Sequence, residues 1–211
     1  MSVVTPWTTR AELPEDVSAI RAVNIAAFPA HDEADLVDAL RADPAAWIDG
    51  LSTVSVDAEG KIVAHSLLTR CTVGAAPALA LGPCTVGAAP ALALGPCTVR
   101  AAPALALGPC TVRAGAALAL GPCAVLPRCQ RTGAGSAAIR AGLERARSLG
   151  ENLIVVLGHA LYYPRFGFTP ASAFGVSAGF DVTDDTFLAL ALDPQRETPR
   201  GQIVYPAAFG V

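Results

Sequence analysis

Leu118-Ala119-Leu120-Gly121-Pro122-Cys123-Ala124-Val125 runs through Leu126-Pro127-Arg128-Cys129 into Gln130-Arg131-Thr132-Gly133-Ala134-Gly135, and the reading of these residues decides the fold. An apolar run, a glycine turn and the start of a helix follow one another. The helix is set by Ile139, Gly142, Leu143 and Ala146, which recur at i, i+3, i+4 and i+7, while Arg140, Glu144 and Arg147 share the opposite side. Gly150 supplies its stop. Beyond it, Leu153-Ile154-Val155-Val156-Leu157 is an apolar run rich in β-branched residues, which suits a strand covered on both faces. The unit is therefore strand, loop, helix, strand. The first turn of a helix leaves backbone N–H groups unpaired and carries a partial positive charge. Gly133 and Gly135 lack a Cβ, so the turn can bring successive amides against a phosphate or pyrophosphate.

Spacing separates three ligands that such a unit could hold. No G-x-x-x-x-G-K-[ST] occurs, which excludes a P-loop. Gly133-x-Gly135-x-x-Ala138 imitates a dinucleotide fingerprint, but in that motif the first glycine follows the strand directly and an acidic residue closes the next strand. Here seven residues separate Val125 from Gly133, and Gly158 and His159 follow the second strand. What remains is Q-x-x-G-x-G at the head of a helix. Taken with the Leu120–Pro127 run and the later Tyr162-Tyr163-Pro164-Arg165-Phe166-Gly167-Phe168, this loop resembles that of the GNAT-type N-acetyltransferase superfamily. The second motif, Y-x-x-x-G-F, falls in the expected place after the following strand.

The resemblance implies an α/β fold with a mixed, mostly antiparallel central sheet flanked by helices. It also implies acetyl-coenzyme A (acetyl-CoA) as co-substrate and an amine acceptor, a small molecule or a protein, that attacks the thioester directly. The amides of Gln130, Arg131, Thr132, Gly133, Ala134, Gly135 and Ser136 would hold the pyrophosphate. Backbone N–H groups around Ala124 and Val125 would bond the pantetheine arm and help to stabilise the oxyanion. Tyr163 stands where the family places the residue that protonates the coenzyme A thiolate, a role a phenol can fill; Tyr162 is its fallback. Two positions depart from the family pattern: Arg131 and Thr132 stand where the loop commonly has Gly and Arg. For the general base the candidates are His159, just after the strand and of a type that titrates near neutrality, then His65 and Glu33, or water.

Composition agrees with a globular enzyme. The 211 residues are 53% hydrophobic and 16% charged, enough for a substantial core, and the net charge of -3 with a single lysine, Lys61, argues against nucleic acid as a partner. No uninterrupted apolar span reaches membrane length and the chain opens without a basic-plus-apolar leader, so no membrane association and a cytoplasmic location are expected. No CxxC pair or matching histidines support a metal site, and no G-x-S-x-G elbow supports a hydrolase.

Towards the N-terminus, Leu13-Pro14-Glu15-Asp16 reads as a helix start and Asp32 to Arg41 as a second helix. Ser52–Asp57 and Lys61–Val73 read as two strands joined by a short turn at Ala58-Glu59-Gly60. After them comes a tandem repeat. Units of 13 residues begin at Cys71, Cys84, Cys97 and Cys110, and the motif restarts at Cys123, so residues 71–122 are repeats and the cysteine count follows from copying. Without three copies, 39 residues, the chain would have 172, a usual single-domain length. One domain over 1–211 is expected, with the repeats inserted between its third and fourth strands, beside the site and able to impair it. An antiparallel meander reverses at each turn, so three added strands would deliver the last copy in the wrong direction. Leu118–Val125 is therefore expected to be the strand that feeds the glycine turn, with much of Cys71–Pro109 extruded, crossed over or stacked. Apolar repeat strands with unpaired edges also favour a homo-oligomer. A rival outcome is a non-catalytic coenzyme A-binding relic or a self-associating repeat protein. The Gly-rich stretch Phe174–Asp185 has no readable pattern, while Phe187–Leu192 and Gln202–Tyr205 read as strands.

Overall fold

The computed structural model describes residues 7–74 and 115–210. In chain order they form β1 (Thr8–Ala11), α1 (Val17–Ala27), α2 (Asp32–Ala42), β2 (Ser52–Val56), β3 (Ile62–Val73), β4 (Gly115–Val125), α3 (Ala134–Ser148), β5 (Leu153–Leu157), β6 (Thr169–Pro170), β7 (Val176–Ser177), β8 (Phe187–Ala191) and β9 (Gly201–Val204). The main path of the sheet is β1-β2-β3-β4-β5-β8-β6, with β9 paired to β3 and β7. All neighbours on that path are antiparallel except β4 and β5. This is the mixed, mostly antiparallel sheet expected from the sequence.

The last repeat copy lies where the direction argument requires it. β4 pairs directly with β3 from Val73↔Gly115 to Ala64↔Val125 and then feeds the 3-10 turn Pro127–Cys129 and the glycine turn. Gly115, the first described residue after Gly74, thus stands opposite Val73. Expectations for the copies in between fall on residues 75–114, outside the described set.

Period-two alternation explains why this copy works as a central strand. Leu118 and Leu120 join Ile139 and Leu143 of α3, together with Ile154, Val156 and Phe168, in one core. Ala117 and Ala119 point to the other side, where Phe187, Val176 and Ile203 from the C-terminal segment cover them. Nearer β1, the same side is covered by α1 and α2, whose Ile20, Val23, Val37 and Leu40 pack on Val54, Ile62 and Leu67. Helix α3 approaches the sheet closely where the residues are small. A Cβ on Gly142 would lie 3.3 Å from Thr53 Oγ1, and the hydroxyls of Thr53 and Ser55 donate to the α3 carbonyls of Ala138 and Ala134 at 3.0 and 2.8 Å.

Under α1 the core contains one titratable network. His65 is fully buried on β3; its Nδ1 accepts from Asn24 Nδ2 at 3.2 Å, which puts the proton on Nε2, 3.0 Å from Ser52 Oγ. Ser52 Oγ donates in turn to Glu12, which Arg41 also engages. Burial, with the Arg41 charge in support, pushes the His65 pKa down to about 3. His65 is thus a structural member of the core and is removed from the candidate bases.

Because the folded pKa is depressed, this histidine supports the fold above its ordinary value of 6.5 and loses that contribution as pH falls from there towards about 3. Chemical denaturation at a series of pH values should show a component of ~1.4 kcal/mol per pH unit over that window. His65→Gln, which cannot take up the proton, should be less stable at neutrality but lack that component.

Candidate functional site

The site is made by two strands parting. β4 and β5 pair in parallel at Leu118↔Ile154 and Ala119↔Val155. On its other edge β4 changes register: Leu68 faces Leu120 but Ser66 faces Cys123, so Gly121 and Pro122 together stand opposite Leu67. Such a bulge bends the strand that carries the extra residue. Past it, Cys123–Val125 remain on β3 while β5 ends at Leu157, and a gap opens between the two strand ends.

One cavity, of about 780 Å³, occupies this gap on the α3 side, with Gln130, Arg131, Gly133, Gly135 and Ser136 along one wall and Tyr162, Tyr163 and Arg165 along the other. A second, of about 540 Å³, lies towards α2 and the C-terminal segment, bounded by Glu33, Leu36, Phe180, Tyr205 and Phe209. Phe28, Cys123, His159 and Tyr163 line both cavities, so the two meet there.

The residues of the glycine turn line the first cavity. Gly133 is the N-cap of α3 with φ +95°, and no side chain caps the helix, so the N–H groups of its first turn keep their capacity for a ligand. Two bonds pin the turn from behind: Trp7 Nε1 donates to the Thr132 carbonyl at 3.1 Å and Thr132 Oγ1 to the Cys129 carbonyl at 2.6 Å. A Cβ on Gly135 would come within 2.7 Å of Val125 Cγ2, so glycine is what lets α3 start against the end of β4. Arg131, where the family pattern has glycine, adopts the left-handed φ of +61°. That conformation costs a non-glycine residue about 1–3 kcal/mol. Its exposed side chain adds positive charge at the cavity wall, as does Arg165, stacked over Tyr162 at 4.5 Å.

Tyr163 opens the 3-10 turn Tyr163–Phe166 and is buried edge-on against Tyr162 and Phe168, at 5.2 and 5.8 Å between ring centroids. Burial above all, then the adjoining Cys123 thiol, pushes its pKa up, and burial raises that of Cys123 as well. A phenol in this setting stays protonated. Tyr162 is tied to α3 through its hydroxyl, 3.2 Å from Ser136 Oγ. His159 is exposed at the junction of the cavities, and Glu33 belongs to the second cavity alone.

Sequence reasoning brought together Tyr163, His159 and the turn, and it missed Phe28, Cys123, Gly158 and the C-terminal aromatic wall. The signal for Gly158 was its place between the strand and His159: a Cβ there would lie 2.2 Å from Tyr163 Cε2. Cys123 looked like a product of copying, and nothing local marked Phe180, Tyr205 or Phe209. Among the described residues no three His, Cys, Asp or Glu side chains converge as metal ligands, and no helix is long and apolar enough to cross a membrane.

No protein-family model matches the chain. Over 171 residues, 81% of this chain and 74% of the relative, it is 34% identical to the uncharacterized N-acetyltransferase YjhQ of Escherichia coli K12. A GNAT family acetyltransferase from Brucella melitensis, solved in complex with acetyl-CoA, superposes with a TM-score of 0.63 at 28% identity, covering 96% of this chain and 97% of that one. The GNAT family N-acetyltransferase YhbS of Escherichia coli, solved with CoA, shares the fold with a TM-score of 0.73 at 20% identity, over 97% and 92% of the two chains.

Gly158→Ala forces its methyl group into the Tyr163 ring. It should destabilise the protein by ~1–3 kcal/mol, as overpacking does, and alter the near-UV tyrosine dichroism; an unchanged spectrum and stability would show that the ring is not held against that backbone.

Proposed function

The chain belongs to the GNAT family of N-acetyltransferases, and from that premise we propose that it moves the acetyl group of acetyl-CoA to an amine at the junction of the two cavities. One observation carries the reading: a single cavity contains both the uncapped start of α3 and the buried phenol of Tyr163. The residues fit the co-substrate. The amides from Gln130 to Ser136, backed by Arg131 and Arg165, offer a diphosphate hydrogen-bond donors and positive charge, with no carboxylate among the described residues of the cavity wall. The edge of β4 at Ala124 and Val125, beyond its parting from β5, offers an extended arm a strand to lie along.

The thioester supplies an acyl group on a good leaving group, and the chain supplies position and protons. From the second cavity the amine nitrogen forms its bond to the acyl carbon while the C–S bond breaks. Tyr163 Oη, protonated in its buried setting, donates its proton to the departing sulfur. His159, or water at its side, takes the proton that the nitrogen loses. We take residues 1–211 as one transferase unit with repeats over 71–122 inserted in it, working in the cytoplasm as a homo-oligomer joined through repeat strands.

Calorimetric titration with acetyl-CoA tests the first half of this reading, and release of free thiol with a panel of amines tests the second. Tyr163→Phe should keep acetyl-CoA affinity within a few-fold and lower kcat by ~10²–10⁴. Absence of binding would end the transferase reading, and binding without turnover on any amine would favour the coenzyme A-binding relic.

A further inference from the structure

The second cavity is built asymmetrically. Its walls include the apolar and aromatic side chains of Phe28, Leu36, Phe180, Tyr205 and Phe209, and among the described residues that line it Glu33 is the one Asp, Glu, Lys or Arg. Glu33 lies in the first turn of α2, five residues after Phe28, which stands at the junction with the first cavity. On the same helix, Asp35 and Asp38 are taken up by Arg21, and Glu33 makes no ion pair among the described residues. We infer that the acceptor is a primary monoamine on an apolar body of about the size of a phenylethyl group, and that the Glu33 carboxylate selects it by receiving its ammonium group. The inference rests on the acetyltransferase reading of the site.

The choice follows from what each rival would leave unpaired. A polyamine would bring two or more further ammonium groups into walls that hold a single carboxylate, and each unmatched charge carries a desolvation penalty. An amino acid would bring a carboxylate to walls without Lys or Arg and beside Glu33. A peptide N-terminus would bury amides against phenyl rings that offer them no partner. A monoamine with an aromatic body leaves nothing unmatched. Its ring packs on the aromatic wall and its charge meets Glu33. A volume of about 540 Å³ holds such a molecule with room for its nitrogen, once the ammonium held by Glu33 has lost a proton to solvent, to turn towards Tyr163 and attack as the free amine.

Two probes test this apart from the chemistry. Phenethylamine, spermidine and a short peptide with a free N-terminus are compared as acceptors, and phenethyltrimethylammonium, which is a cation but cannot react, is titrated as a competitive inhibitor against the amine. Phenethylamine should be preferred in kcat/KM by at least tenfold. In Glu33→Gln the inhibition constant of the quaternary cation should rise about tenfold or more with acetyl-CoA affinity unchanged, and Glu33→Asp should restore part of the loss. Preference for spermidine or the peptide, or an inhibition constant indifferent to Glu33→Gln, would overturn the inference and leave the transferase reading standing. Failure of the wild-type protein to bind acetyl-CoA would overturn both.

Discussion

The parting of β4 from β5 is the constraint on which the remaining architecture depends. A parallel pair carried to its full length would close the gap that both cavities share, and Tyr163 would have nothing to face. The gap exists because Gly121 and Pro122 stand together against Leu67, so that β4 keeps its partnership with β3 while leaving β5. The pairing on the β3 edge matters as much as the divergence on the other. It fixes Cys123, Ala124 and Val125 in place, and Val125 is the surface on which Gly135 lets α3 begin. The bulge, the strand end and the start of the helix therefore form one rigid assembly, and its geometry passes directly into the position of the glycine turn.

Local rules are broken at the site and kept elsewhere, as is common where a structure serves a ligand. Arg131 holds a left-handed conformation, α3 starts without a side-chain cap, and a phenol is buried beside a thiol in a setting that disfavours ionisation of either. These features have a shared direction. The uncapped amides and Arg131 favour negative charge along one wall of the first cavity, and the buried phenol keeps a proton on the other, where Arg165 also lies. Trp7 and Thr132 hold the strained turn by donating to the carbonyls of Thr132 and Cys129. Ordinary packing stabilises the rest, with leucines under α3 and alanines under the C-terminal segment.

Periodic elements were legible in the sequence and their departures from one another were not. Helix α3, β5 and the hairpin of β2 and β3 follow from local pattern, since Ile139 with Leu143 or Val155 with Val156 leaves little choice of structure. The bulge is different: Gly121-Pro122 reads as part of the repeat, and only its register against Leu67 reveals a bend. Likewise the stretch from Phe174, illegible as pattern, places Val176–Ser177 beside β9 and Phe180 on the second cavity because of partners far away in sequence. His65 shows the same limit from the other side. Its residue type suggests a base, and its surroundings of Asn24, Ser52 and a nearby arginine make it neutral core.

The position of the repeats bears on why the site keeps its form. Their points of attachment, Gly74 and Gly115, lie at one end of the β3–β4 pair, and the glycine turn follows the other end at Val125. Ten residues of strand at about 3.3 Å each set these ends roughly 30 Å apart. Duplication within a hairpin connection also preserves direction: whatever is added between Val73 and Gly115, β4 must still run back along β3 to pair with it. The copy that must be structurally correct is the last one, since it alone supplies Leu118 and Leu120 to the core and Cys123 to the junction. The end of this pair that leads to the glycine turn is held by Leu118 and Leu120 under α3 and by Val125 against Gly135.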